Sequence, residues 1–117
     1  MKKIFLQQAF EELNDAIAYY EEQQPGLGLK MKTEVDQHVR WILNNPATPR
    51  IRIGGYRRIN LKVFPYYIAY LIHQETLWIL AIAHSHRKPV YWIKRKMKSV
   101  NKHRIQMNQP ESEIDKK

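Results

Sequence analysis

The chain contains no cysteine, which excludes disulfides, thiolate nucleophiles and thiolate metal sites and gives no sign of an oxidising compartment. It also lacks a long apolar run. The patch Ile4 to Leu6, after Lys2 and Lys3, is too short for a signal-peptide core or a membrane span, so the expectation is a soluble cytoplasmic protein. Glycine is scarce: its four residues fall in two places, Gly26 with Gly28 and Gly54 with Gly55, and no internal repeat is visible. Acid is nearly missing from one stretch. Residues 37–110 carry a single acid, Glu75, against fourteen lysines and arginines, whereas residues 1–36 carry seven acids against four lysines. The formal net charge is +9, and its one-sidedness favours an anionic partner, either nucleic acid or an acidic protein segment.

What is present suits one small globule. The chain has 117 residues, 44% of them apolar and 11% aromatic, enough for one modest core and too few for two ordinary domains. Residues 1–96 are expected to form that domain. Residues 97–117 read as a polar tail, basic and then acidic, and loosely ordered.

Ile4 to Leu6 reads as a short strand. From Gln8 to Gln24, Ala9, Leu13, Ala16, Ile17 and Tyr20 recur at helical spacing, and Pro25, Gly26 and Gly28 break that helix. A second helix is expected from about Leu29 to Asn45 with Val35, Val39, Ile42 and Leu43 as its stripe, and so short a connection makes an antiparallel hairpin. Ile51 to Ile53 is a candidate edge strand before the Gly54–Gly55 bend. Arg57, Ile59, Leu61 and Val63 then alternate with Arg58, Asn60 and Lys62, as in a half-buried strand ended by Pro65. Tyr66 to His73 and Leu77 to His84 are apolar at nearly every position and read as central strands joined by Gln74, Glu75 and Thr76. The expected fold is α+β: a helix hairpin on one face of a small, about four-stranded antiparallel sheet. Its other face, floored by Tyr and Trp, is a candidate binding concavity.

The order of certain residues resembles the RelE/ParE superfamily of toxins from type II toxin–antitoxin modules. The resemblance runs through Ala9, Glu12–Leu13, Ala16, Tyr19–Tyr20–Glu21, Pro25–Gly26–Leu27–Gly28 and Pro46. It continues in Tyr56–Arg57–Arg58, Phe64–Pro65–Tyr66, Ile68, Tyr70, Ala83–His84, Arg87, Pro89 and Tyr91–Trp92, covering about Ile4 to Lys96. The Tyr-Tyr-Glu, Pro-Gly-Leu-Gly and Phe-Pro-Tyr blocks are closer to the ParE branch. That branch implies a toxin that poisons DNA gyrase by binding and is neutralised by a cognate acidic antitoxin. The RelE branch implies ribosome-dependent cleavage of mRNA. A degenerate member that only binds an antitoxin or nucleic acid is a third reading.

Carried over residue by residue, a nuclease would rely on Arg58, Arg87 and Tyr91, with His86 a candidate acid or base. Asn60, Tyr67 and Ser85 stand where that branch would place further basic groups, and cleavage through a phosphorane needs such cations. For a binder, the candidate partner contacts are Arg57, Arg58, Arg87, Lys88, Tyr91, Trp92, Lys94 and Arg95. Period-2 alternation sends Arg57 and Arg58 to opposite faces, where they read equally as solvated edge charges or as functional groups. His84 and His86 share one side of an extended segment, but no third ligand is near in sequence, so no metal is expected; no cofactor is implied either. Tyr66, Tyr70 and Trp78 read as core or pocket floor.

Overall fold

The computed structural model describes residues 1–95 of the chain, and the expected tail lies outside the described residues. Strand β1 (Lys2–Phe5) leads into helices α1 (Gln7–Gln23) and α2 (Leu27–Asn44), then strands β2 (Arg57–Asn60), β3 (Tyr66–His73) and β4 (Thr76–His84), and a single 3-10 turn over Pro89–Tyr91. The sheet order is β1-β4-β3-β2. β2, β3 and β4 are antiparallel, whereas β1 joins β4 in parallel, because the helix hairpin carries the chain across the sheet before it returns as β2.

The helices form where their apolar stripes meet the sheet. Ala9, Leu13 and Ala16 of α1 and Met31, Val35, Val39 and Ile42 of α2 are buried against the face that carries Ile68, Tyr70, Leu77 and Ile82. The Tyr70 hydroxyl donates to the Pro46 carbonyl at 3.0 Å, tying the end of α2 to the sheet. Burial raises that phenol's pKa to about 12, with Arg57 opposing.

The hairpin turn between the helices departs from expectation. Gly28 is not a breaker but sits in the first turn of α2, where a Cβ would lie 2.7 Å from the Ile17 carbonyl oxygen. Only Gly26, at φ +91°, needs the left-handed conformation. The Glu21 carboxylate accepts the amides of Gly26 and Gly28 at 3.0–3.1 Å, which satisfies free N–H groups at the start of α2 and places an anion at the positive end of its dipole.

Two sequence expectations are corrected. Ile51 to Ile53 is not a strand: Arg52 makes one isolated bridge to Tyr56 around the Ile53–Gly55 turn. The strand expected to run to Val63 ends at Asn60, and Val63 points outward at 74% exposed. The cause is Glu34, the one buried charged residue of α2, whose carboxylate accepts the backbone N–H groups of Lys62 and Val63 and pulls the β2–β3 connection onto the helix.

Gly28→Ala should force α1 and α2 apart, since the obstructing atom is backbone and cannot swing away. A loss of about 1–3 kcal/mol in urea unfolding is expected, with Thr33→Ala on the exposed side of α2 as the near-neutral control; equal stability of the two would contradict the close approach.

Candidate functional site

The sheet face away from the helices is organised by β4's incomplete edge. β1 pairs only with Thr76–Ile79, and the Leu6 amide reaches Ile79 at 3.1 Å before the chain turns into α1. Beyond that point β4 has no strand on this edge among the described residues, and two side chains take its place. Glu12 accepts the Ile82 amide at 3.0 Å, and Arg95 donates to the Leu80 carbonyl at 3.1 Å. The two are themselves paired at 3.0 and 3.2 Å. An open edge would otherwise leave these backbone groups for water or another strand.

The Tyr91 hydroxyl donates to Glu12 at 3.2 Å. Its pKa is driven well above the ordinary phenol value, first by burial, then by the Glu12 charge and by the bond to Glu12, with Tyr67 adding and Arg95 opposing. Arg87 stacks on the Tyr91 ring at 4.0 Å, and Arg95 lies 5.3 Å from the same ring. Next to them Trp92 is fully buried, packed edge-on against Tyr56 at 4.7 Å, and its indole N–H donates to the Tyr67 hydroxyl at 3.0 Å. Tyr67 in turn donates to the Arg87 carbonyl at 3.1 Å, and Arg58 stacks on its ring at 3.9 Å.

The sequence-derived residues thus divide. Arg58, Arg87, Tyr91, Trp92 and Arg95 meet in one cationic–aromatic cluster, with Lys88 and Lys94 exposed beside it. Arg57 is not part of it. As alternation required, it points the other way, where its guanidinium donates to the carbonyls of Ala47 (3.2 Å) and Pro49 (2.6 Å) and fixes the α2–β2 loop. Trp92 and Arg95 are held internally, leaving Arg87, Lys88 and Lys94 as the reachable charges. Tyr67 fills with a buried phenol the position where the RelE branch would carry a basic group, and Asn60 accepts from Arg58 at 2.9 Å. The His86 amide donates to His84 Nδ1 at 3.3 Å and the two rings lie 5.3 Å apart, but no group of three metal-ligating side chains occurs among the described residues.

Sequence reasoning missed two features. Glu12 was legible only as part of a motif, although its place three residues after Ala9 already put a carboxylate at the rim of the α1 apolar stripe. The second is a groove of about 1010 Å³ between α2 and the β2–β3 connection. Leu29, Trp41, Ile59, Val63 and Phe64 line it, Lys30 and Lys62 edge it, and Glu34 and His38 lie in its wall. Leu29, Trp41 and Val63 are 66%, 40% and 74% exposed, a contiguous set of large apolar side chains along a groove.

Because the folded chain holds the phenols of Tyr20, Tyr66, Tyr70 and Tyr91 above their ordinary pKa, the native state keeps protons that the unfolded chain has lost. This stability is complete below about pH 10, the ordinary phenol value, and is lost as pH rises through the raised values. Urea unfolding at pH 8 and pH 11 should show the fall. Tyr91→Phe should make it shallower while costing about 1 kcal/mol at pH 8 for the bond to Glu12; an unchanged pH dependence in that variant would contradict the assignment.

Residues 4–89 match the family model described as the ParE toxin of the type II toxin–antitoxin system parDE. No curated protein matches in sequence. Among solved structures, a chain of the chromosomal ParDE toxin–antitoxin system from P. aeruginosa superposes with a TM-score of 0.64 at 19% identity, over 72% of this chain and 95% of that one, a likeness of fold.

Proposed function

The chain belongs to the ParE toxin family of type II toxin–antitoxin systems, and from that premise we propose that it arrests growth in the cytoplasm by binding DNA gyrase and is held inactive by an acidic antitoxin seated in the α2 groove. The observation that carries this reading is the groove itself. It is open, apolar along its length and edged by Lys30 and Lys62, which suits an amphipathic segment with acidic flanks. A partner ordered on this surface buries Leu29, Trp41 and Val63 and places its acids toward the cationic half of the molecule. Encounter is then steered by charge, and residence is set by the apolar contact.

Binding is better supported than RNA cleavage. A nuclease of the related branch would use Tyr91 for proton transfer, but here that hydroxyl is committed to Glu12 and its raised pKa makes it a poor acid near neutrality. Arg87 remains exposed on the Tyr91 ring, and with Lys88 and Lys94 it forms the cationic surface offered to the target.

Expression of the chain alone should stop growth, induce the DNA-damage response and leave protein-linked breaks while transcripts stay intact. Cleavage of mRNA on ribosomes before any DNA damage would overturn the gyrase target. Trp41→Asp separates toxin from partner surface: it should weaken antitoxin binding by about 100-fold or more, as loss of a buried aromatic anchor does, and leave toxicity intact, so that co-expressed antitoxin no longer rescues growth. Full rescue of Trp41→Asp would remove the groove as the antitoxin seat.

A further inference from the structure

The α2–β2 loop contains the most exposed large apolar residue of the described chain, and neither the groove nor the aromatic cluster uses it. Ile53 is 99% exposed and Ile51 60%, in the alternating run Arg50, Ile51, Arg52, Ile53. The run ends in Gly54 and Gly55, at φ +103° and +80°, which fold the tip back on itself so that Tyr56 pairs with Arg52: the Arg52 amide donates to the Tyr56 carbonyl at 2.7 Å, and the Gly55 amide to the Arg52 carbonyl at 2.9 Å.

The tip is narrow and its base is firm. Arg57 holds the carbonyls of Ala47 and Pro49, the Tyr70 hydroxyl holds that of Pro46, and Tyr56 is buried against Trp92. Ile93 packs under Gly54, and the residue after it, Lys94, is exposed. No acid occurs anywhere between residues 37 and 74, so nothing on this stretch of chain offsets the arginines.

We propose that the Arg50–Gly55 loop is a second binding site, an apolar wedge at Ile53 preceded by Arg50 and Arg52, that enters the minor groove of duplex DNA. Insertion of an aliphatic side chain at a base step, with arginines lying in the same groove, is a recurrent way for proteins to hold and kink a duplex. A narrow A·T-rich minor groove concentrates negative potential where Arg50 and Arg52 would lie. A protein partner fits less well, because two isoleucines on a turn fall far short of the roughly 800 Å² per side that a stable protein interface buries. The site goes beyond antitoxin capture and does not depend on what the α2 groove holds.

The test is fluorescence anisotropy of the full chain with a dye-labelled 20-base-pair A·T-rich duplex from 50 to 200 mM salt, together with energy transfer between dyes on the two duplex ends. The wild-type chain should bind with an affinity that falls steeply with salt and should draw the ends together. Arg50→Ala should reduce the log–log salt slope by about one phosphate equivalent. Ile53→Ser, a change at a solvent-facing tip, should leave the slope unchanged, weaken binding about fivefold and abolish the shortening. A G·C-rich duplex, whose guanine amino groups fill the minor groove, should bind more weakly. Three results would each overturn the proposal: no saturable binding at 50 mM salt, identical affinity and duplex length with Ile53→Ser, or Ile53-dependent binding to phosphatidylserine vesicles in preference to DNA. Antitoxin binding by Ile53→Ser should equal wild type, which keeps this result separate from that on the α2 groove.

Discussion

The arrangement of this molecule hangs on a strand that is too short. β1 covers only the first half of β4, and the remaining backbone groups must be satisfied by something other than a strand. Glu12 supplies an acceptor and Arg95 a donor, so the ion pair occupies the position of a missing strand residue. Three further placements follow from it. α1 is fixed against the sheet edge through Glu12, and Tyr91 is drawn in to the same carboxylate. The turn after β4 is fastened so that Trp92 reaches Tyr67. The pair is partly buried, with side chains 16% and 22% exposed, so loss of either partner leaves the other charge against unpaired backbone, a costlier event than loss of a surface ion pair.

The sheet then assigns its two faces different work. One takes the helices and is largely aliphatic, with Tyr70 among its buried residues; the other takes the chain after β4 and is cationic and aromatic. Arg57 and Arg58 are adjacent in sequence and chemically alike, yet one ties down a loop through two carbonyls while the other stacks on a buried tyrosine. Their difference comes entirely from the pleat of β2. Glu34 has a comparable role on the opposite side of the molecule: by capturing the amides of Lys62 and Val63 it ends β2 early and turns Val63 outward, which creates one wall of the α2 groove.

Much of the fold can be read from the chain. β3 and β4 stand out because continuous apolar runs bounded by turn residues have few other solutions, and both helices lie within two residues of where their stripes place them. The parallel direction of β1 was hidden, since alternation carries no information about the orientation of a neighbour. Val63 kept the alternating pattern of a strand and was pulled out of it by a carboxylate 29 residues earlier, a long-range bond that no local period reports. Leu29, Trp41 and Val63 lie too far apart in sequence to suggest one groove, and neither Leu29 nor Trp41 belongs to a recognisable stripe. Of the cationic cluster, the arginines and Tyr91 were legible, whereas Tyr67 showed only as a departure from the RelE pattern and Glu12 only as part of a motif.

The parallel pairing of β1 with β4 also bears on how the chain comes into being. The helix hairpin is local and can form as soon as it is synthesised. β1, by contrast, must wait for a strand more than seventy residues later, and Glu12 waits for Arg95, 83 residues on. Loops of that span close slowly. During synthesis the first strand therefore remains unpaired until nearly all the described residues have left the ribosome. The cationic–aromatic face, assembled from the last-made part of the domain, is the last to exist, so a truncated or nascent chain carries the helices without the surface that they support.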